Sequence, residues 1–228
     1  MQRYQWLLFD ADGTLFDYDK AERAALQQTF QLIGAPFDLA YVTAYRAIDK
    51  ALWRELELGQ VTLDVLKIRR FEQLFASIGL DHSPAQFQNQ YQDCLADCSE
   101  LFHDAAEVVE TLRKNHRMAI LTNGLQAVQR RRFARSVIRH HVEEVGISEE
   151  IGFAKPAREF FDATVTRLGQ PSPQSLLMIG DSWTADIMGA TQYGMDACWY
   201  NPERKPRPGG CEPTREIASL RELVEWLK

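Results

Sequence analysis

The chain has 228 residues, 45% of them hydrophobic and 25% charged, with a formal net charge of −6 at pH 7. That length supports one substantial core and a smaller module, and the composition is ordinary for a soluble globular protein. The excess of acid argues against a general nucleic-acid binder. With no apolar run long enough to span a bilayer and no leading basic–apolar signal region, the expected residence is cytoplasmic.

A first strand is predicted over Gln5-Trp6-Leu7-Leu8-Phe9, running straight into Asp10-Ala11-Asp12-Gly13-Thr14. Carboxylates at the end of an apolar segment are costly unless they are paired, hydrogen-bonded or metal-bound. Asp10 and Asp12 lie two residues apart, so on an extended backbone both project to one side. Gly13 then lets the chain turn away. The pattern next becomes helical, with apolar residues at three- and four-residue spacing over 21–33, 39–58, 63–78 and 84–96. Breaks fall at Gly34-Ala35-Pro36, at Gly59-Gln60 and over 79–84.

Beyond Cys98 the period alternates between strand and helix. Met118-Ala119-Ile120-Leu121 leads into Thr122-Asn123-Gly124, and the run Arg130-Arg131-Arg132 reads as a solvated basic face. Ala154-Lys155-Pro156 opens a further helical stretch, and Leu176-Leu177-Met178-Ile179 leads into Gly180-Asp181, with Asp186 following. These groups sit where a parallel α/β sheet places its site, in the crevice beyond the carboxyl ends of its strands. The expected fold is α/β: a Rossmann-like parallel sheet core from residues 1–18 and 99–228, with a helical domain of residues 19–98 inserted after the first strand. Cys94 and Cys98 share a helical spacing poorly suited to bridging, and a reduced protein accommodates all four cysteines. The histidines show no metal spacing, and His140-His141 are placed on a loop.

The four motifs in this order resemble those of the haloacid dehalogenase-like hydrolase superfamily, over nearly the whole chain. In that family the helical insertion is a cap that covers the site and excludes water. A carboxylate can attack phosphorus to form an aspartyl-phosphate, dividing one hard displacement into two easier ones, and the resemblance gives Asp10 that role. Attack on an anionic phosphate requires charge neutralisation, so a divalent cation, Mg²⁺, is expected. The resemblance implies Asp10, the main-chain carbonyl of Asp12 and the side chain of Asp181 as its ligands. Asp181 equally suits a helix N-cap, although Gly180 before it favours close backbone approach to a site.

Asp12 suits a general acid/base that protonates the leaving group and then deprotonates water. Phosphatases of the family carry an acid there and the dehalogenases do not, so Asp12 points to a phosphatase. Thr122 and Asn123 can donate hydroxyl, amide and backbone N–H groups to phosphate oxygens, although alone they would read as a strand-to-helix cap. Lys155 reads as a phosphate-binding cation, its backbone biased towards extended geometry by Pro156, or as a surface lysine. Asp186 holds Lys155 or a metal-bound water, or simply lies on a helix surface.

Leu52-Trp53, Gly59-Gln60-Val61-Thr62, Arg70-Phe71 and the segment Ile147-Ser148-Glu149-Glu150-Ile151-Gly152-Phe153-Ala154-Lys155-Pro156 resemble the bacterial pyrimidine 5′-nucleotidases of the superfamily. These enzymes remove phosphate from nucleoside monophosphates. Gly13 departs from that group, where an acid is frequent. The expected partner is therefore a small phosphate ester, a nucleoside monophosphate first. Alternatives are another ester such as phosphoglycolate or a sugar phosphate, or a non-catalytic binding protein on this fold.

Overall fold

Five apolar segments and one short mixed segment pair side by side in the computed structural model, which describes residues 3–228. They are β1 (Trp6–Phe9), β2 (Arg117–Thr122), β3 (Glu144–Ile147), β4 (Leu176–Gly180), β5 (Asp196–Tyr200) and β6 (Arg215–Ile217). The sheet order is β3-β2-β1-β4-β5-β6, and every pairing is parallel. Parallel strands are joined by crossovers that cover both sheet faces, so both faces must be apolar. Alternation along the strands divides the core accordingly. Leu7, Phe9, Met118, Ile120, Leu177 and Ile179 pack on one side, with Val108, Val109 and Leu112 of α5 (Ala105–Leu112). Trp6, Leu8, Ala119, Leu121, Leu176 and Met178 pack on the other, with Phe160, Phe161 and Val165 of α8 (Arg158–Arg167). Each fully buried side chain of this size stabilises the fold by about 1.5–3 kcal/mol before entropy is counted.

The strand order reverses beside β1. The chain winds outward through β2 and β3, then crosses back to place β4 on the other side of β1. Register aligns Phe9 with both Ile120 and Ile179, so the carboxyl ends of β1, β2 and β4 lie together at this switch point. The remaining helices of this unit are α6 (Gln126–Arg135), α7 (Ser148–Ile151), α9 (Gly189–Tyr193) and α10 (Arg221–Trp226). A π-helical turn, Trp183–Met188, follows β4. His140 closes a short 3₁₀ turn, Val137–His140, where a loop was expected.

The chain forms two compact units: one reaches to Tyr18 and resumes at Ser99, and the other is Asp19–Cys98. The second unit is helical, built on α1 (Tyr18–Leu32), α2 (Leu39–Glu57), α3 (Leu63–Ile78) and α4 (Pro84–Asp97). Asp38, Thr62 and Ser83 accept backbone N–H groups at the starts of α2, α3 and α4. Its core is aromatic: Phe71 lies 4.9 Å from Phe87, 5.2 Å from Tyr91 and 5.5 Å from Tyr45, centroid to centroid. Arg70 is buried among these rings, its charge balanced by Asp49 at 3.0 Å, with its Nε and Nη2 donating to Gln88 Oε1. All four cysteines are free thiols. No helix of the described residues is long and apolar enough to cross a membrane.

Candidate active site

β1 ends at Phe9, and the next residue, Asp10, docks onto its neighbour strand by donating its backbone N–H to Ile179 O at 2.8 Å. This leaves the Asp10 side chain 11% exposed at the switch point. Lys155 Nζ meets it from the segment after β3 and donates to Asp10 Oδ1 at 2.7 Å, Asp186 Oδ1 at 2.6 Å and Leu121 O at 2.7 Å. An ammonium has three donors, and these three acceptors use them all. Burial disfavours the lysine charge, but Asp10 and Asp186 outweigh it and hold the ammonium above the ordinary lysine range. Burial also pushes the Asp10 carboxyl well above the carboxylate range; Lys155 opposes this, while Asp186 and Asp181 add to it.

Asp181 follows β4 and keeps an open face, with Thr14 Oγ1 3.4 Å from its Oδ1. Trp199 Nε1 donates to its main-chain oxygen at 2.9 Å. The surrounding protein, then the charge of Asp186, raise its carboxyl to about 7. Asp186 is fully buried, accepting from Lys155 on one oxygen and from Ser182 N–H at 3.0 Å on the other. Two glycines make room for this arrangement. Gly13 has φ +88°, and a Cβ there would lie 2.8 Å from Asp181 Oδ2. A Cβ on Gly180 would overlap the Asp186 carboxylate.

Asn123 does not point its amide into open space. Its Nδ2 donates to Lys155 O, and its Oδ1 accepts Lys155 N–H, both at 2.8 Å. This two-bond brace on the lysine backbone uses the amide oxygen and one of the two amide N–H groups. Thr122 ends β2; its Oγ1 accepts from Gly124 N–H at 3.2 Å and from Gln129 Nε2 at 3.3 Å. Both acceptor positions of that hydroxyl are taken, so its own proton is left to donate outward.

Asp12 is placed differently from Asp10. Its side chain, 23% exposed, accepts from Arg132 Nη1 on Oδ1 and from Gln129 Nε2 on Oδ2, each at 2.5 Å. Arg132 therefore corrects the reading of the 130–132 run as a solvated face: its side chain is 0% exposed and lies 4.8 Å from the centroid of Phe16. The run lies inside α6, where successive side chains are 100° apart and cannot all face water. Leu125, Val128, Gln129 and Arg132 recur at helical spacing and are all buried, and this period was the available sign. Arg130, in contrast, pairs at the surface with Glu150.

Among the described residues, carboxylate oxygens of Asp10, Asp181 and Asp186 lie within 4.8 Å of one another. Three acids face one ammonium, and when ionised this oxygen-only cluster suits a hard divalent cation. The model match agrees with this chemistry: residues 4–194 fit the haloacid dehalogenase-like hydrolase family. The chain belongs to the haloacid dehalogenase-like hydrolases. Two relatives of this hydrolase are pyrimidine 5′-nucleotidases by name. PynA of Streptococcus pneumoniae is 34% identical, the match covering 98% of this chain and 95% of the relative. YjjG of Escherichia coli is 31% identical, with coverage of 99% and 98%. A crystal structure of the HAD-hydrolase YfnB of Bacillus subtilis bound to magnesium superposes with a TM-score of 0.95, at 34% identity and 100% coverage of both chains.

Proposed function

We propose that this hydrolase removes phosphate from nucleoside monophosphates, pyrimidines preferred, with Asp10 as nucleophile and Asp12 as general acid/base. The observation that carries the reading is the Asp10 carboxyl, held by Lys155 through Oδ1 at the switch point with Oδ2 left for attack. Oδ2 attacks phosphorus, the ester P–O bond breaks, and the departing alkoxide takes a proton from Asp12. Asp12, now a carboxylate, accepts a proton from water as that water attacks the aspartyl-phosphate. The P–O bond to Asp10 then breaks and phosphate leaves. The Thr122 hydroxyl donates to a phosphate oxygen, and Lys155 with its Asn123 brace fixes the nucleophile. Bound Mg²⁺, held by Asp10, Asp181 and the main-chain carbonyl of Asp12, would neutralise phosphate charge.

Pyrimidine preference rests on the names of PynA and YjjG and on the resemblances in the helical unit. The residues gathered around Asp10 address phosphate and cation only, so discrimination among esters is assigned to the helical unit Asp19–Cys98, the cap that the family resemblance implies. A panel of esters with Mg²⁺ tests this. UMP, dUMP and dTMP should be cleaved with higher kcat/KM than AMP, GMP or sugar phosphates. Phosphoglycolate or a hexose phosphate outperforming every pyrimidine nucleotide would overturn the substrate while leaving the phosphatase chemistry standing.

A further inference from the structure

To act as acid/base, the partly exposed Asp12 carboxylate must hold one direction. A short aspartate on a turn, flanked by Gly13, has rotamers to choose from, and a misdirected acid loses most of its value. We infer that Gln129 and Arg132 are positioning residues that act through Asp12, a role that rests on the acid/base reading above. Their bonds approach different oxygens, Arg132 Nη1 to Oδ1 and Gln129 Nε2 to Oδ2, so together they fix the carboxylate plane as neither could alone. A carboxylate has about four acceptor positions; two remain for the proton exchanged with leaving group and water.

The clamp is itself held. Arg132 is fully buried and stacked against Phe16, which follows Asp12 in the same turn. Gln129 is 4% exposed and is confined by Gly124, where a Cβ would overlap its side-chain amide. The same Gln129 Nε2 lies 3.3 Å from Thr122 Oγ1, so one amide orients the proton carrier and fills an acceptor position of the outward-donating hydroxyl. Both residues stand on one face of α6, three residues and so nearly one helical turn apart.

The test is a double-mutant cycle with steady-state kinetics on UMP and p-nitrophenyl phosphate. Arg132→Met and Gln129→Leu, which keep apolar bulk, are each made in the native chain and in Asp12→Ala. In the native chain, each should lower kcat on UMP by about 10- to 100-fold, a share of the 10²–10⁴ that a general acid/base supplies. The loss should be smaller on the nitrophenyl ester, whose leaving group needs little protonation. In Asp12→Ala the same substitutions should cost less than about twofold in kcat, because the group they position is gone. Equal losses in both backgrounds, or on both esters, would show that the two side chains support the fold rather than Asp12, and would overturn the inference alone. An Asp12→Ala enzyme with full activity would overturn it together with the acid/base reading. Thermal melting identifies any variant that fails to fold; should Arg132→Met do so, the Gln129→Leu arm decides by the same criteria.

Discussion

Gly13 shows how much a single position can constrain. Its φ of +88° lies in the left-handed region, and the space a Cβ would occupy is already filled by the Asp181 carboxylate. Gly13→Ala therefore strains the turn and pushes Asp181 from its place. The expected result is a lower melting temperature together with a higher Mg²⁺ concentration for half-maximal activity. A variant with reduced stability but an unchanged Mg²⁺ requirement would show that Asp181 does not depend on this contact. The acids of the site were legible because they interrupt apolar strands, where an ionised group needs a reason to be. Asn123 was legible as a polar residue at a strand end but not as a brace, because its partner, Lys155, is 32 residues away. Arg132 was hidden by its neighbours, since Arg130 and Arg131 give the stretch the look of a solvated surface.

At the scale of elements, periodicity was the reliable guide. Three of the four helices of the second unit fall over Leu39–Glu57, Leu63–Ile78 and Pro84–Asp97, close to the apolar spacing, because caps and glycine breaks set their ends locally. The short strand β6 was not legible, since Arg215–Ile217 gains its place only by pairing with β5. Within the helical bundle, Glu22 sits 3% exposed on α1 and pairs with Arg46 at 2.6 Å. Burial outweighs that pairing and raises its carboxyl from the ordinary 4.5 to about 7. The native state then holds the proton more tightly than the unfolded chain does. The stability linked to it is full below about 4.5 and is lost as pH rises through about 7. Glu22→Gln, which retains an acceptor for Arg46, should flatten the fall in melting temperature across that window. The same slope in native and variant chains would contradict the assignment of this titration to Glu22.

For the whole molecule, the topology does most of the positioning. A parallel sheet that reverses its winding beside β1 brings Asp10, Thr122 and Asp181 together at the ends of β1, β2 and β4, and the turn after β3 delivers Lys155. The order of apolar strands along the chain already implied this convergence, and the match of residues 4–194 to the family accords with it. The side-chain network between the strands was beyond that reading, because bonds such as Lys155 to Leu121 O depend on register rather than on composition. The central claim is that Asp10 carries the phosphoryl group. Acid-quenching the enzyme during turnover of UMP with Mg²⁺, reducing with borohydride and mapping the peptides tests it directly. The account predicts reduction of an acyl-phosphate at Asp10, absent without substrate, absent when Mg²⁺ is chelated and absent in Asp10→Asn, which should also be inactive. Steady turnover with no adduct at Asp10, or turnover undiminished in Asp10→Asn, would contradict it.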